Sequence, residues 1–314
     1  MKLVIFGCGN IAKRIAASCL KVDTIDLLGF ASKDLVKAKE YADLFGCKEY
    51  GDYDSFLNKE ADAVYIAVYN PGHYELIRRC IDAHKNVICE KPMLFSLKEY
   101  QEVFAYAEKK NVLLMEALKS VFLPSIQEVK RMIKEGQIGE IQSLEACFMR
   151  NGNHQDSHWI NDLRCGGAFK DLGSYCVGTL NYLMDCEAKL LHLESDRNAY
   201  RAETTAFGKL DYNGVSAKVC VSNSKDGNND LIVQGSRGRI VVHNFWKQGK
   251  IVYEIDDKAY EKDVPLVSDF YYELKHFSEL CDTHAKESGI MSKQASQRII
   301  KITEKVDKRQ KENL

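Results

Sequence analysis

Gly7, Gly9 and Ala12 form a Gly-x-Gly-x-x-Ala spacing between an apolar run, Leu3–Phe6, and a segment of helical periodicity, Asn10–Leu20. In a strand–turn–helix of this kind the first glycine permits a tight turn and the second lets the backbone approach a pyrophosphate. A small third residue lets the helix pack closely on the strand. A helix N-terminus favours phosphate charge, so Gly7, Gly9, Asn10 and Ile11 are the expected phosphate contacts of a dinucleotide. The next strand ends Phe30-Ala31-Ser32-Lys33. A carboxylate there bonds the ribose 2′-hydroxyl of NAD, whereas its absence beside a base accommodates the 2′-phosphate of NADP. Ser32 and Lys33 thus favour NADP, with NAD the alternative. The plainer reading of the same pair is a helix-capping serine and a solvated lysine. Further along, Asp171 and Tyr175 are four residues apart in a helical segment, which projects both from one face. Taken singly, one is a first-turn acid and the other a half-buried ring. His154 and His158 have a metal-binding spacing if helical, but the segment reads as a solvated loop, and no metal is expected. Trp159 is equally a platform for a ring-shaped substrate and a core tryptophan.

The elements that position these groups fall into two patterns. Up to about residue 118, apolar runs alternate with helical segments: Leu3–Phe6, Ile25–Ala31, Ala63–Val68, Asn86–Cys89 and Val112–Met115 as strands, with Asn10–Leu20, Asp34–Phe45, Tyr74–Ala83 and Leu97–Lys109 as helices. Repeated β-α-β with short loops implies an α/β Rossmann domain with a doubly wound parallel sheet. From residue 119 the pattern changes. A helix, Pro124–Lys134, and a long strand, Glu140–Met149, precede Gly166-Gly167 and a helix over Asp171–Met184. Extended segments then follow one another without helices between them: Leu190–Glu194, Thr204–Leu210, Ser216–Ser222, Leu231–Gln234 and Arg239–Val242. Such a run implies an α+β domain with a large, mostly antiparallel open sheet. The expected division is residues 1–118 and 119–314. Two amphipathic helices, Asp269–Cys281 and Ser292–Lys305, close the chain, the last packing back on the first domain or staying with the second. The charged stretch Asp307–Asn313 is expected to fray.

Composition removes several classes of function. A formal net charge of −1, from 44 basic and 45 acidic side chains, supplies no field for nucleic acid or an anionic membrane. The eleven cysteines include no Cys-x-x-Cys pair, so they read as small buried hydrophobes of a reducing, cytoplasmic protein rather than a disulfide or zinc framework. The apolar start of the chain is too short for a signal peptide and reads as the first strand. No run is long and apolar enough to suggest a membrane span.

Two further motifs are more specific. Ala67-Val68-Tyr69-Asn70-Pro71-Gly72-His73 leads, through one helix, to Lys85-Asn86-Val87-Ile88-Cys89-Glu90-Lys91-Pro92. Later comes Gly166-Gly167-Ala168-Phe169-Lys170-Asp171-Leu172-Gly173-Ser174-Tyr175. Together and in this order they resemble the glucose-fructose oxidoreductase, inositol dehydrogenase and rhizopine-catabolism (Gfo/Idh/MocA) family, with its strand-ending Glu-Lys-Pro and its Gly-Gly-x-x-x-Asp-x-Gly-x-His/Tyr. The tyrosine version is similar to the branch that contains dimeric dihydrodiol dehydrogenase and NADP-dependent xylose dehydrogenase. The resemblance spans essentially the whole chain.

It implies hydride transfer between a nicotinamide and a CH–OH carbon of a sugar, polyol or cyclic diol. Tyr175 is then the general acid/base. A tyrosine of ordinary pKa, about 10, is a poor base near neutrality unless a cation stabilises its phenolate, and the resemblance assigns that cation to Lys91. Asp171 orients a substrate hydroxyl or pairs with Lys91. Ala67, Asn70 and His73 line the cofactor edge with Glu90 and Lys91, although His73 serves equally as a helix cap. A cis bond before Pro92 is common in the family. Where its members often carry Arg-Phe-His-Pro, this chain has Val121-Phe122-Leu123-Pro124, which changes the expected pocket. A homo-oligomer, dimer or tetramer, is the family expectation. The competing function from another class is a catalytically silent NADP-binding sensor, which loss of the lysine or tyrosine would favour; both are present.

Overall fold

The structure is a computed structural model and describes residues 1–152, 158–163, 165–247 and 249–312. The chain divides into two compact units. The first comprises Met1–Lys119 and Val267–Gln294, and the second Ser120–Leu266 and Ala295–Leu314.

The first unit opens with β1 (Lys2–Phe6), α1 (Asn10–Cys19), β2 (Asp26–Ala31), α2 (Leu35–Phe45), β3 (Glu49–Gly51) and α3 (Tyr53–Leu57). It continues through β4 (Ala63–Ile66), α4 (His73–Asp82), β5 (Asn86–Glu90), α5 (Leu97–Lys110) and β6 (Leu114–Ala117). All strand pairs are parallel, in the order β3-β2-β1-β4-β5-β6. Parallel strands covered on both faces must be apolar throughout, and Leu3, Val4, Ile5 and Phe6 of β1 are fully buried. Strand order reverses between β1 and β4, the switch point outside which α/β proteins bind ligands. The short pair β3 and α3 was not legible in the sequence, because Glu49–Gly51 is too brief and polar to carry a pattern.

The second unit contains α6 (Pro124–Lys134), β7 (Ile141–Met149) and α7 (Ser174–Met184), then β8 (Lys189–Arg197), β9 (Glu203–Tyr212) and β10 (Val215–Ser222). β11 (Asp230–Gly235), β12 (Gly238–His243), β13 (Lys250–Ile255) and β14 (Lys258–Asp263) complete it. The eight-stranded order is β14-β13-β12-β11-β7-β10-β9-β8. Every neighbouring pair is antiparallel except β7 with β10. One face, with Leu144, Ala146, Phe148, Val219, Val221, Leu231 and Val233, is buried, and α7 packs on β7 and β10. The β13–β14 hairpin lies beyond Val242, where the pattern of extended segments legible in the sequence ends. β14 is an edge strand exposed along its length, and its Lys-Ala-Tyr-Glu-Lys-Asp has no apolar alternation.

The chain closes with α8 (Tyr271–Asp282) and α9 (Lys293–Glu312). It is α8, not the last helix, that joins the first unit. Ser18 on α1 hydrogen-bonds Ser268 at 2.8 Å, and Ser278 on α8 reaches the Thr24 hydroxyl at 2.9 Å. The expected fraying from Asp307 is corrected: α9 continues to Glu312. Val306 is buried there, and Asp307 forms an ion pair at 2.7 Å with Lys170, itself 8% exposed.

Candidate active site

In the first unit the phosphate-binding turn is built by close approach. Gly7 has φ +112°, and a Cβ there would stand 2.5 Å from the Ala67 carbonyl oxygen of the loop after β4. A side chain at Gly7 is therefore excluded twice, by backbone conformation and by contact. Gly9 faces open space and is the N-cap of α1, with no side chain capping the helix and no acid in its first turn. The leading amides of Asn10 and Ile11, both exposed, are left for an anion. These features fit a dinucleotide pyrophosphate.

At the end of β2, Ser32 and Lys33 stand where a ribose substituent is discriminated. The helix cap proves to be Asp34, whose Oδ1 accepts from Val36 N and Lys37 N at 3.1 Å each. The Ser32 hydroxyl accepts from Asp34 N–H at 3.1 Å, and Lys33 is exposed. The acid nearest this strand end is thus committed to α2. Within the turn, burial pushes the Cys8 thiol up to about 11, so it stays protonated near neutrality.

At the carboxyl end of β4, the Asn70 amide donates to the Pro92 carbonyl at 3.0 Å, tying this loop to the one after β5. His73 is fully buried at the start of α4, with Nδ1 3.0 Å from the Met93 carbonyl and Nε2 3.1 Å from that of Val68. Burial lowers its pKa. Both ring nitrogens are thus turned to backbone, and the ring braces two loops instead of facing a ligand. Glu90 and Lys91 close β5, and the Lys91–Pro92 peptide bond is cis. Glu90 Oε1 accepts from the Tyr65 hydroxyl at 2.9 Å. Burial raises the Glu90 pKa, opposed by the neighbouring Lys91 charge and the Tyr65 hydrogen bond.

In the second unit a widened, π-helical turn over Phe169–Gly173 carries Asp171 and runs directly into α7, which carries Tyr175. Such turns interrupt the regular period and often mark functional positions. The glycine pair has a packing cause. A Cβ on Gly166 would lie 2.2 Å from the Ile160 carbonyl oxygen, while Gly167 N–H donates to that oxygen at 2.8 Å. The short helical turn Trp159–Asn161 is thereby pressed against the start of the Asp171 segment. Phe169 N–H donates to the buried Glu203 carboxylate at 3.0 Å, fixing the turn to β9.

Tyr175 is 8% exposed. Its ring lies 5.8 Å from Phe148 on β7, and Phe148 stacks on Trp246 at 3.6 Å. Phe148 and Trp246 escaped the sequence reading, which considered only Trp159 as an aromatic platform. The available signal was the aromatic pair Phe245-Trp246 amid the polar residues that follow Val242. Of the two histidines read as a metal spacing, His154 lies outside the described residues. His158 instead caps the Trp159 turn, its Nδ1 accepting from Ile160 N at 3.3 Å.

Comparison with known proteins agrees with this architecture. Residues 1–118 match the oxidoreductase family with an NAD-binding Rossmann fold, and residues 126–241 match the Gfo/Idh/MocA C-terminal domain. The chain belongs to the Gfo/Idh/MocA oxidoreductase family. It is 28% identical over 295 residues to trans-1,2-dihydrobenzene-1,2-diol dehydrogenase of Mus musculus, covering 90% of this chain and 88% of the relative. The Homo sapiens protein of the same name is 26% identical over 294 residues, with 90% and 88% covered. Among solved structures, a 3-ketoreductase from Actinomadura kijaniata in complex with NADP and TDP-benzene superposes with a TM-score of 0.88 at 23% identity, covering 96% of this chain and 95% of that one. A UDP-N-acetylglucosamine 3-dehydrogenase from Acidithiobacillus ferrooxidans gives 0.83 at 17% identity, with 98% and 96% covered. These structural likenesses show a shared fold. As a family member, the chain is a nicotinamide-dependent oxidoreductase.

Proposed function

We propose that this enzyme transfers hydride between NADP(H) and a CH–OH carbon of a cyclic diol or sugar-like substrate. Bound NADP+ supplies the hydride acceptor. Tyr175 takes the hydroxyl proton as the carbon–hydrogen bond breaks, so that alcohol becomes ketone, and returns it in the reverse direction. Lys91 is the cation that makes a phenolate accessible near neutral pH. Asp171 orients the reacting hydroxyl. Gly7, Gly9, Asn10 and Ile11 hold the pyrophosphate, and Ala67 and Glu90 border the nicotinamide. The preference for NADP is supported by Ser32, the exposed Lys33 and the engagement of Asp34 in capping. The Tyr175–Phe148–Trp246 cluster is the observation that carries the substrate class. Stacked rings beside the acid/base suit a flat or apolar ring better than an open-chain polyol. The relatives named as diol dehydrogenases favour the same class.

The eleven free cysteines suit a reducing compartment, which supports a cytoplasmic protein. Exposed Phe207 on the open sheet face supports a homodimer formed there. The deciding experiment is reduction of NADP+ and NAD+ over a panel of cyclic diols, aldoses and inositols, beside Lys91→Ala and Tyr175→Phe. Turnover on a cyclic diol with NADP+ that falls by at least about a hundredfold in each variant is expected. Full turnover in both variants overturns the mechanism, and tight cofactor binding with no turnover on any substrate overturns the enzyme assignment.

A further inference from the structure

A group of buried acids surrounds Tyr65 in the first unit. Glu273, in the first turn of α8, is 0% exposed. Its Oε1 lies 3.2 Å from the Tyr65 hydroxyl, which also stands 2.9 Å from Glu90 Oε1. Its Oε2 has no hydrogen-bond partner among the described residues. The phenol owns one proton and faces two carboxyl oxygens, so one of the two contacts needs a proton from a carboxyl group. An ionised carboxylate with one oxygen buried and unpartnered is also strongly disfavoured. Both arguments put the extra proton on Glu273 and leave Glu90, beside Lys91, as the acceptor.

The charges facing this group agree. Burial first, and then the like charge of Glu90, raise the Glu273 pKa well above the carboxylate range. Lys119 opposes this, but its ammonium is bound by Asp269, which also binds Arg14. Cys19 of α1, also close by, is held as a neutral thiol by burial. Burial raises the Glu90 pKa as well, but there Lys91, the Tyr65 hydrogen bond and Lys119 all oppose the rise.

We propose that Glu273 is a neutral acid that donates to Tyr65, which in turn donates to an ionised Glu90, and that this relay fixes a negative charge at the cofactor edge of β5. Glu273 is a positioning residue acting through Tyr65. A fixed negative charge there favours the cationic, oxidised nicotinamide over the reduced one, so the relay biases the enzyme towards NADP+. This consequence rests on the cofactor placement proposed above; the protonation of Glu273 does not.

The first test therefore uses the cofactor-free enzyme. Infrared spectra at neutral pH are expected to show a protonated-carboxyl C=O band that shifts in D2O. Glu273→Gln removes it, while Glu116→Gln, a change at another buried glutamate, leaves it. Tyr65→Phe, which removes the acceptor of the acid proton, moves the band to higher frequency and provides the same test should Glu273→Gln fail to fold. A wild-type spectrum without the band, a spectrum undiminished in Glu273→Gln, or one unmoved by Tyr65→Phe overturns the relay. The second test measures Kd for NADP+ and NADPH against pH. Glu90→Gln is expected to cut the preference for NADP+ about tenfold and remove its pH dependence. Tyr65→Phe, by withdrawing a donor from ionised Glu90, shifts the pH midpoint upward. Unchanged ratios and midpoints in both variants overturn the link to the cofactor, whatever the infrared result.

Discussion

Asp269 accepts hydrogen bonds from both Arg14 and Lys119. The Lys119 side chain is 3% exposed and that of Asp269 15%, so this is a buried pair with one partly wetted member. Its ammonium also lies 4.7 Å from the centre of the Phe270 ring. Asp269→Asn keeps the shape and leaves an enclosed ammonium without its carboxylate. Removing one member of a buried pair costs ~3–5 kcal/mol. The residual exposure of Asp269 and the surviving ring contact place this case at the lower end, ~3 kcal/mol. For a unit of roughly 150–250 residues that lowers Tm by about 6–12 °C. Lys119→Met in the same chain removes the stranded charge, so the double variant should recover most of the loss. Burial holds the Lys119 pKa below its ordinary value, and Asp269 opposes that shift. Without Asp269 the folded-state pKa falls further, while the unfolded one stays at about 10.4. A proton bound more weakly in the folded state costs stability below the folded pKa, and that cost disappears as pH rises through the interval between the two values. The deficit of Asp269→Asn should therefore narrow as pH is raised towards about 10. Thermal and urea melts of the four chains at neutral and alkaline pH make the measurement. A double variant no more stable than Asp269→Asn, or a deficit that widens at high pH, refutes the reasoning.

Three shorter predictions concern the site. Gly7→Ala sets a Cβ 2.5 Å from the Ala67 carbonyl oxygen at a φ of +112°, and calorimetry should find NADP+ affinity reduced at least about tenfold by this backbone strain. Lys33→Ala should raise KM for NADP+ about tenfold while leaving NAD+ nearly unchanged, since a charge-assisted contact to phosphate is lost only with the former. Trp246→Ala removes the ring stacked on Phe148 at 3.6 Å, and initial-rate kinetics should show KM for cyclic diols rising about tenfold with a much smaller effect on kcat.

The first domain was legible because buried parallel strands and a glycine turn leave local marks: Leu3–Phe6 is a continuous apolar run, and Gly7 and Gly9 follow it at once. Tyr175 and Lys91 were legible through motifs rather than through surroundings. What escaped depends on contacts between residues far apart in sequence. Nothing near Tyr271 announces that Glu273 meets Tyr65, because that pairing spans 208 residues. His73 opens α4 at the carboxyl edge of the sheet, and only the carbonyls of Val68 and Met93 show its ring turned inward. Lys170, immediately before Asp171, pairs with Asp307 on α9, a contact that no local pattern announces. Phe148 read as one more strand hydrophobe, since the sequence does not reveal that Trp246 returns to cover it.

The first unit is assembled from two stretches of chain, Met1–Lys119 and Val267–Gln294. Chains are made from the N-terminus, and domains generally fold as they emerge. Here the unit begun first is interrupted by Ser120–Leu266 and is completed only by Val267–Gln294. Until α8 has left the ribosome, β4 and β5 lack the acid that faces Tyr65, and α1 lacks its partners Ser268 and Asp269. The whole segment Ser120–Leu266 is available before then. A fragment ending at Lys119 is thus an unfinished domain rather than a small one. A newly made chain completes this unit only once Val267–Gln294 has followed the whole of Ser120–Leu266.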